Sequence, residues 1–598
     1  MLIWRELGAS LIVDNFVGEN LKYLVNTTRR FWIKADRMRT IRVIKEPIHD
    51  YIALSELENR LINDPLFLRL QNISQNGLAY LTYPSNRTSR FIHSLGTMHI
   101  GGEMILSAMR TAEKDVRESF HVSFKRLASS AAAGSGINLR KVQQFVSTKN
   151  DIFYLHNGFD PTNSRAFFDI LLFQALRIAS VVHDLGHPPF SHAVENVLKS
   201  SLDSLSVEQK APREYQRFGK ALGDLSRAQP GQLHERIGRA LTLLVFTEIG
   251  DDYEDFGRLC FWIAERIATP ELSAEDPKGI VNCLHSIVSG DTFDADRCDY
   301  VLRDGYASGF EFGEYDLARI LQNLRLATNN NGRFEIISTT TAASALESFF
   351  LERYRIWRWV VFHPNVVRAE IALARCMAHL LDIAFADRLP SEQERGVRRV
   401  LDEWDFHKFW RTFEEKSTYR QYVSCDEPWM LAMIREIQTL KDLRGMLPRR
   451  LVMLKAYVDF ILDRKKPSFV ALWKRAEEYE EFASEVKRVA QDFGDLLAKL
   501  DMLPANRPAS EWLNQLVQTV LKDDLRRGQV NCMRRLEDKL QHRLQASGLR
   551  GAFLASVLRF SSYTECFVAD KSGKKVVLVS FAFESWWRPR QSGPPRVH

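Results

Sequence analysis

His183-Asp184-Leu185-Gly186-His187-Pro188-Pro189-Phe190-Ser191-His192 is the stretch on which the reading of this chain turns. It follows an apolar run, Phe167 to Val182, whose hydrophobic residues recur at three- and four-residue intervals and so predict a buried helix. Gly186 and the Pro188-Pro189 pair stop that helix at once. An imidazole and a carboxylate are thereby delivered side by side from the end of a buried segment. Unpaired polar groups are costly there, and a divalent cation would partner them. Histidine nitrogen with carboxylate oxygen suits manganese, iron or zinc.

Three further stretches extend the pattern in both directions. Arg90-Phe91-Ile92-His93-Ser94-Leu95-Gly96 lies upstream, with His234-Glu235 and Asp294-Ala295-Asp296-Arg297-Cys298-Asp299-Tyr300 downstream, the last followed by Arg303-Asp304. His93 and Asp296 each head a helical run, which makes His93, His183, Asp184 and Asp296 the candidate metal ligands. His192 and Glu195, three positions apart on the next helix, face one cavity. Asp296, Tyr300 and Asp304 recur every four residues and share a helix face.

The fold class expected is mainly α. Helical periodicity also marks Leu54–Ile73, Ile237–Phe246, Ala343–Val361 and Ala369–Phe385. Strand-like runs are short: Ile41–Ile44, then Glu565–Asp570 and Lys575–Ala582 flanking the turn Lys571-Ser572-Gly573-Lys574. The small residues of Ala128–Gly136 suggest a flexible loop. The divisions expected are an N-terminal segment 1–45, a core 46–368 with an insertion at about 115–165, a helical region 369–560, and a β-hairpin with a flexible basic tail 561–598.

Composition narrows the class. The chain has 598 residues, with 82 Lys+Arg against 75 Asp+Glu, a formal charge of +7. That bias permits an anionic substrate without requiring nucleic acid, which stays open as a partner. Seven scattered cysteines without a CxxC pair indicate reduced thiols and a cytoplasmic protein. Glu6 and Asp14 interrupt the apolar start and argue against a secretory signal. Asp169, Gln174 and Arg177 interrupt the most apolar helix, so no membrane partner is expected.

The segments RFIHSLG, HDLGHPPFSH and DADRCDYVLRD resemble the HD-domain superfamily, and within it the dGTPase-like deoxynucleoside triphosphate triphosphohydrolases. The resemblance runs from about Ile44 to about His363. It implies an HD-domain helical bundle, a mostly helical C-terminal region with a small β-hairpin or sheet, and one divalent metal (Mn, Fe, Zn or Mg) on the four candidate ligands. It also implies Mg on the nucleotide phosphates. The activity implied is cleavage of a dNTP to deoxynucleoside and triphosphate, lowering dNTP pools in antiviral defence or nucleotide homeostasis.

Site roles carry over position by position. His234 would protonate the departing 5′ oxygen, Glu195 and Glu235 would orient it, and His192 would contact phosphate or assist the water. Arg90, Arg297 and Arg353 would clamp the polyphosphate, with His187 near the phosphates. Tyr300 would pack against C2′, and Asp304 and Gln75 would hold the 3′ hydroxyl. Relatives are dimers, tetramers or hexamers, so a homo-oligomer is implied, with a nucleotide activator as a further partner. Departures limit the inheritance. His93 and His183 stand 90 positions apart, Val361 and Phe362 replace a Tyr-Gln pair, and Asn63, Leu68 and Gln71 replace the guanine-nucleotide activator residues. The alternatives are another HD phosphohydrolase (nucleoside monophosphate, cyclic nucleotide or alarmone) and a non-catalytic nucleotide sensor.

Overall fold

Leu54–Ile73 carries helical periodicity, yet Asn63-Asp64-Pro65 divides it. Helix α1 (Glu56–Ile62) stops at Asn63, and Asp64 caps a new turn that has Pro65 in its first position. The start of α1 is a capping box: the Ser55 hydroxyl accepts from the Glu58 N–H, and the Glu58 carboxylate accepts from the Ser55 N–H. Glu58 has a second use. Its carboxylate also receives Gln174 Nε2 at 2.7 Å and Arg177 Nε at 2.7 Å, which ties the cap to the apolar helix. Leaving the buried Glu58 carboxylate or Arg177 guanidinium unpaired would cost several kcal/mol, on the order of 3–5.

The structure, a computed structural model, describes residues 42–148, 164–205, 216–217, 233–268 and 276–465 with short breaks, together with 563–569 and 575–582. Strands β1 (Arg42–Glu46) and β2 (Asp50–Leu54) form an antiparallel hairpin ahead of α1. Then come α2 (Arg90–Thr111), α3 (Lys114–Gly134), α4 (Leu139–Thr148), α5 (Ser164–Val182) and α6 (His192–Leu205). They are followed by α7 (Leu233–Asp252), α8 (Glu254–Ala268), α9 (Ile280–Val288) and α10 (Ala295–Ser308). Strands β3 (Leu324–Thr328) and β4 (Phe334–Thr339) precede α11 (Ala343–Ile356), α12 (Pro364–Ala384), α13 (Glu392–Glu403), α14 (Glu427–Thr439) and α15 (Arg449–Asp463). Strands β5 (Tyr563–Ala569) and β6 (Lys575–Ala582) close the described chain.

The fold is mainly α, as the periodicity predicts. Helix α2 is central, packed against α5, α10 and β3, while α8 lies against α5 and α7. Two small residues let α2 and α5 approach closely. A Cβ on Gly101 would lie 2.6 Å from Ser180 Oγ, and one on Gly102 would lie 3.1 Å from Phe173 Cε2. No helix among the described residues is long and apolar enough to cross a membrane.

Several local expectations change. Ala128–Gly136 is not a loop: α3 runs unbroken to Gly134 and buries Ala128, Ala131 and Ala132. Alanine is the strongest helix former, so a small-residue tract ends in coil only where its glycines begin. The insertion is therefore partly helical, in α3 and α4, and its residues 149–163 lie outside the described residues. The first strand is described over Arg42–Glu46, running two residues past the expected end at Ile44, while Ile41 lies outside the described residues. The final hairpin forms at Tyr563–Ala569 and Lys575–Ala582, and it joins a sheet of order β3-β4-β5-β6. Strand β5 lies parallel to β4, with Ser338 opposite Val568 and Thr339 opposite Ala569. The division expected near residue 368 falls inside α12, which packs on both α6 and α15. The segment 1–41 and the basic tail beyond 582 lie outside the described residues.

Candidate metal centre and active site

His93 stands in the first turn of α2, His183 and Asp184 follow the last residue of α5, and Asp296 lies in the first turn of α10. Three helix ends thus meet at one point. Asp184 Oδ2 is 3.6 Å and Asp296 Oδ1 is 3.0 Å from His93 Nε2, and Asp296 Oδ1 is 3.7 Å from His183 Nε2. Single ligand atoms of His93, His183 and Asp184 lie within 4.8 Å of one another.

The donor chemistry fits a cation. His93 Nδ1 is 2.7 Å from Asp299 Oδ2, and His183 Nδ1 is 2.7 Å from the Ser180 carbonyl oxygen. Each Nδ1 can therefore donate outward, so that in the neutral ring, the form that binds a metal, Nε2 offers its lone pair inward. Those two Nε2 atoms are buried, and among the described residues only the Asp184 and Asp296 carboxylates approach them, without hydrogen-bond geometry. Burial alone would depress the His93 ring, but Asp296 and Asp299 outweigh it and raise His93 to about 10. Burial would raise Asp296, and the two imidazoles instead hold it below the usual carboxylate range. The pocket is built to stabilise positive charge, and a divalent metal suits it.

A second cluster adjoins the first. Ligand-type atoms of His187, His192, Glu195 and His234 also lie within 4.8 Å of one another. Asp184 links the clusters, with Oδ1 3.4 Å from His183 Nε2 and 3.2 Å from His187 Nε2. The His187 ring stacks on His234 at 3.9 Å. Glu195 Oε2 is 3.0 Å from His192 Nδ1 and 3.0 Å from His234 Nδ1, and Glu195 Oε1 accepts the His234 N–H. Burial would push Glu195 up, but hydrogen bonds from His192 and His234 hold it well below the carboxylate range. Glu195 is thus the carboxylate that orients His234, while Glu235 is exposed. The His192 side chain is 57% exposed at the rim.

The expected substrate residues divide by their present partners. Arg90 is buried, donating to Asp184 Oδ2 at 2.5 Å and to Ser191 Oγ at 2.7 Å. Arg297 is bound to Asp294 and to the Gly290 carbonyl within its own turn. The Tyr300 hydroxyl accepts from Arg353 Nε at 3.0 Å and from Trp357 Nε1 at 3.1 Å, which gathers two expected residues and one unexpected one. Asp304 Oδ1 and Gln75 Oε1 are both buried acceptors without a donor among the described residues. Burial raises Asp304 to about 7.

Three supporting residues escape a sequence reading. Asp299 holds His93 and is itself held by Arg303 at 2.7 and 2.8 Å and by His49 at 2.6 Å. The i,i+4 spacing of Asp299 and Arg303 is the available signal, and it reads equally as a surface pair. Arg69 donates to the carbonyls of Leu185, His187 and Cys425, and Glu427 accepts from Phe190 and Ser74. No local pattern announces either.

No protein-family model matches the chain. It is 28% identical over 337 residues to an uncharacterized protein of Methanocaldococcus jannaschii, covering 56% of this chain and 49% of that protein. It is 23% identical over 338 residues to the deoxynucleoside triphosphate triphosphohydrolase SAMHD1 of Danio rerio, covering 56% of this chain and 44% of that enzyme. A putative HD domain-containing protein of Acanthamoeba polyphaga mimivirus is 21% identical over 334 residues, 54% of this chain and 55% of that one. The chain thus spans about half the length of these curated relatives. Among solved structures, a phosphohydrolase from Bacteroides thetaiotaomicron aligns with a TM-score of 0.44 at 18% identity, covering 76% of this chain and 84% of that one. Over about half its length the chain is thus similar to a deoxynucleoside triphosphate triphosphohydrolase and to a putative HD domain-containing protein, and its His93, His183, Asp184 and Asp296 side chains gather at three helix ends.

Proposed function

We propose that the chain is a metal-dependent dNTP triphosphohydrolase, releasing deoxynucleoside and intact triphosphate. The observation that carries this reading is the junction at Asp184, where one carboxylate meets both a metal-type ligand pair and the His187–His234–Glu195 group. A phosphoryl-transfer site needs charge stabilisation and a proton donor within one substrate's reach, and the adjoining of the two clusters at Asp184 supports that reading.

His93, His183, Asp184 and Asp296 would hold the metal. When bound, it supplies polarisation of the α-phosphoryl group and acidification of the attacking water. A bond forms from water oxygen to the α-phosphorus, and the bond from that phosphorus to the sugar 5′ oxygen breaks. An alkoxide leaves poorly, so His234, held by Glu195 through Nδ1, gives a proton to the departing oxygen. Asp304 and Gln75, each with an acceptor oxygen lacking a donor, suit a sugar hydroxyl. Arg353 and Tyr300 stand together to receive phosphate and sugar.

The test is product analysis. Purified protein is incubated with each dNTP, the matching NTPs, and Mn²⁺ or Mg²⁺, and the products are separated. Deoxynucleoside plus triphosphate is expected, with turnover abolished in His183→Ala/Asp184→Ala while the helical circular dichroism persists. Monophosphate plus pyrophosphate, activity confined to a monophosphate, cyclic nucleotide or alarmone, or nucleotide binding without turnover would each overturn it.

A further inference from the structure

At the far end of the two helices that carry the metal-type histidines, the surface opens into a cavity of about 240 Å³. Its floor is apolar: Ile105, Leu106 and Met109 from α2, Leu172 and Phe173 from α5. An apolar cavity of roughly 150 Å³ holds benzene, so this one accepts a larger ring or a short acyl chain. The cavity is remote from the candidate active site. His93 and Met109 are sixteen residues apart on α2, on the order of 20 Å along the axis.

The rim supplies the polarity. Arg110 and Arg117 border the cavity, and neither guanidinium has an ion-pair or hydrogen-bond partner among the described residues. The nearby carboxylate, Asp169, is engaged by His121, with Nδ1 3.0 Å from Oδ1. Two free cations against one occupied anion leave the mouth positive. A guanidinium beside apolar surface gains most from an anion that brings its own apolar body, because desolvating the pair is then offset by burial of the body.

We propose that this cavity is a binding site for an amphipathic anion, with an apolar body seated between α2 and α5 and a carboxylate or phosphate head paired by Arg110 and Arg117. The site is independent of the phosphohydrolase reading, since nothing in its lining is assigned to catalysis. Its ligand is selected by volume and charge together: about 240 Å³ limits the apolar body, and the arginines reject a cation.

Isothermal titration of the full chain tests it, using octanoate, octyl phosphate and octyltrimethylammonium as probes. Saturable one-to-one binding of at least one anion is expected, with no saturable heat from the ammonium. Charge-assisted pairs are worth about 1.5–3 kcal/mol, so Arg110→Glu/Arg117→Glu should weaken binding roughly tenfold or more. Leu106→Trp, at a half-buried lining position, should abolish it. Binding by the carboxylate alone or the phosphate alone identifies the head group. No saturable anion binding, equal binding of the ammonium, or undiminished affinity in the arginine variant would overturn the proposal. Each readout is a binding heat, so the outcome stands apart from any result on dNTP turnover.

Discussion

The carboxylate of Glu427 accepts the backbone N–H of Phe190 at 3.1 Å, across 237 positions of chain. Phe190 and Ser191 both adopt left-handed backbone, with φ of 58° and 51°, a conformation that costs a non-glycine residue roughly 1–3 kcal/mol. Glu427 also accepts from Ser74 N and Ser74 Oγ, both at 2.7 Å. The Ser74 carbonyl accepts from Ser191 Oγ at 2.8 Å, which in turn accepts from Arg90 beside Asp184. The turn between the two histidine clusters is therefore held from the start of α14, in the C-terminal half of the chain. With Arg69 reaching the Leu185, His187 and Cys425 carbonyls, both shoulders of the HD turn are fixed to that distant segment.

Glu427 has a pH signature. Burial raises it from 4.5 to about 7 despite its three donors. Between those values the folded chain binds a proton that the unfolded chain releases, so its contribution to stability falls as pH rises through that window. In Glu427→Gln that dependence disappears, while an amide oxygen can still accept from Phe190 and Ser74. Denaturant unfolding from pH 4.5 to 8 should show the variant gaining on the parent by up to about 3 kcal/mol. Parallel pH profiles for the two proteins would contradict this.

Asp299 is expected to govern metal retention. It receives the His93 Nδ1 proton, fixing the tautomer that points Nε2 inward. Asp299→Asn should weaken divalent-metal affinity roughly 10–100-fold. Metal content after dialysis against a graded chelator series measures the change, and parent-like retention would refute it.

Glu195→Gln should lower kcat on a dNTP roughly 100-fold with little change in KM. The loss follows from a His234 that is no longer oriented by a carboxylate at Nδ1. Steady-state kinetics separates the two constants. A rise in KM alone would make Glu195 a binding residue.

Gly186→Ala should destabilise the chain by about 3 kcal/mol. A Cβ there would lie 2.0 Å from the His234 carbonyl oxygen and 2.1 Å from Gly238 N, backbone atoms of α7 that cannot yield cheaply. Thermal unfolding reads the shift, and a parent-like Tm would mean that α7 moves freely against the HD turn.

Legibility in the sequence follows the range of the interaction. The end of α5 was readable because apolar periodicity and the Gly-Pro-Pro stop are local signals, and the adjacency of His183 and Asp184 is itself local. His93 and Asp296 are suggested by their places at the heads of helical runs, but no local rule joins positions on α2 and α10, and the resemblance supplies their union. Strands β3 and β4 were not seen: Leu324–Thr328 and Phe334–Thr339 are short and only partly alternating, and their pairing with each other and with β5 is tertiary. Trp357 beside Tyr300 escaped because an aromatic on a helix reads as core. Glu427 escaped because an acidic residue opening a helix has a sufficient local explanation in the helix dipole.

Gly96 sets a limit on what this molecule can become. A side chain there would begin 1.8 Å from the Asp299 carboxylate oxygen and 2.6 Å from Arg303. The acid that steadies His93 comes that close only because one position on α2 has nothing beyond its Cα. Any lineage that keeps Asp299 and Arg303 must leave residue 96 bare, so variation can enter this corner only by changing several residues together.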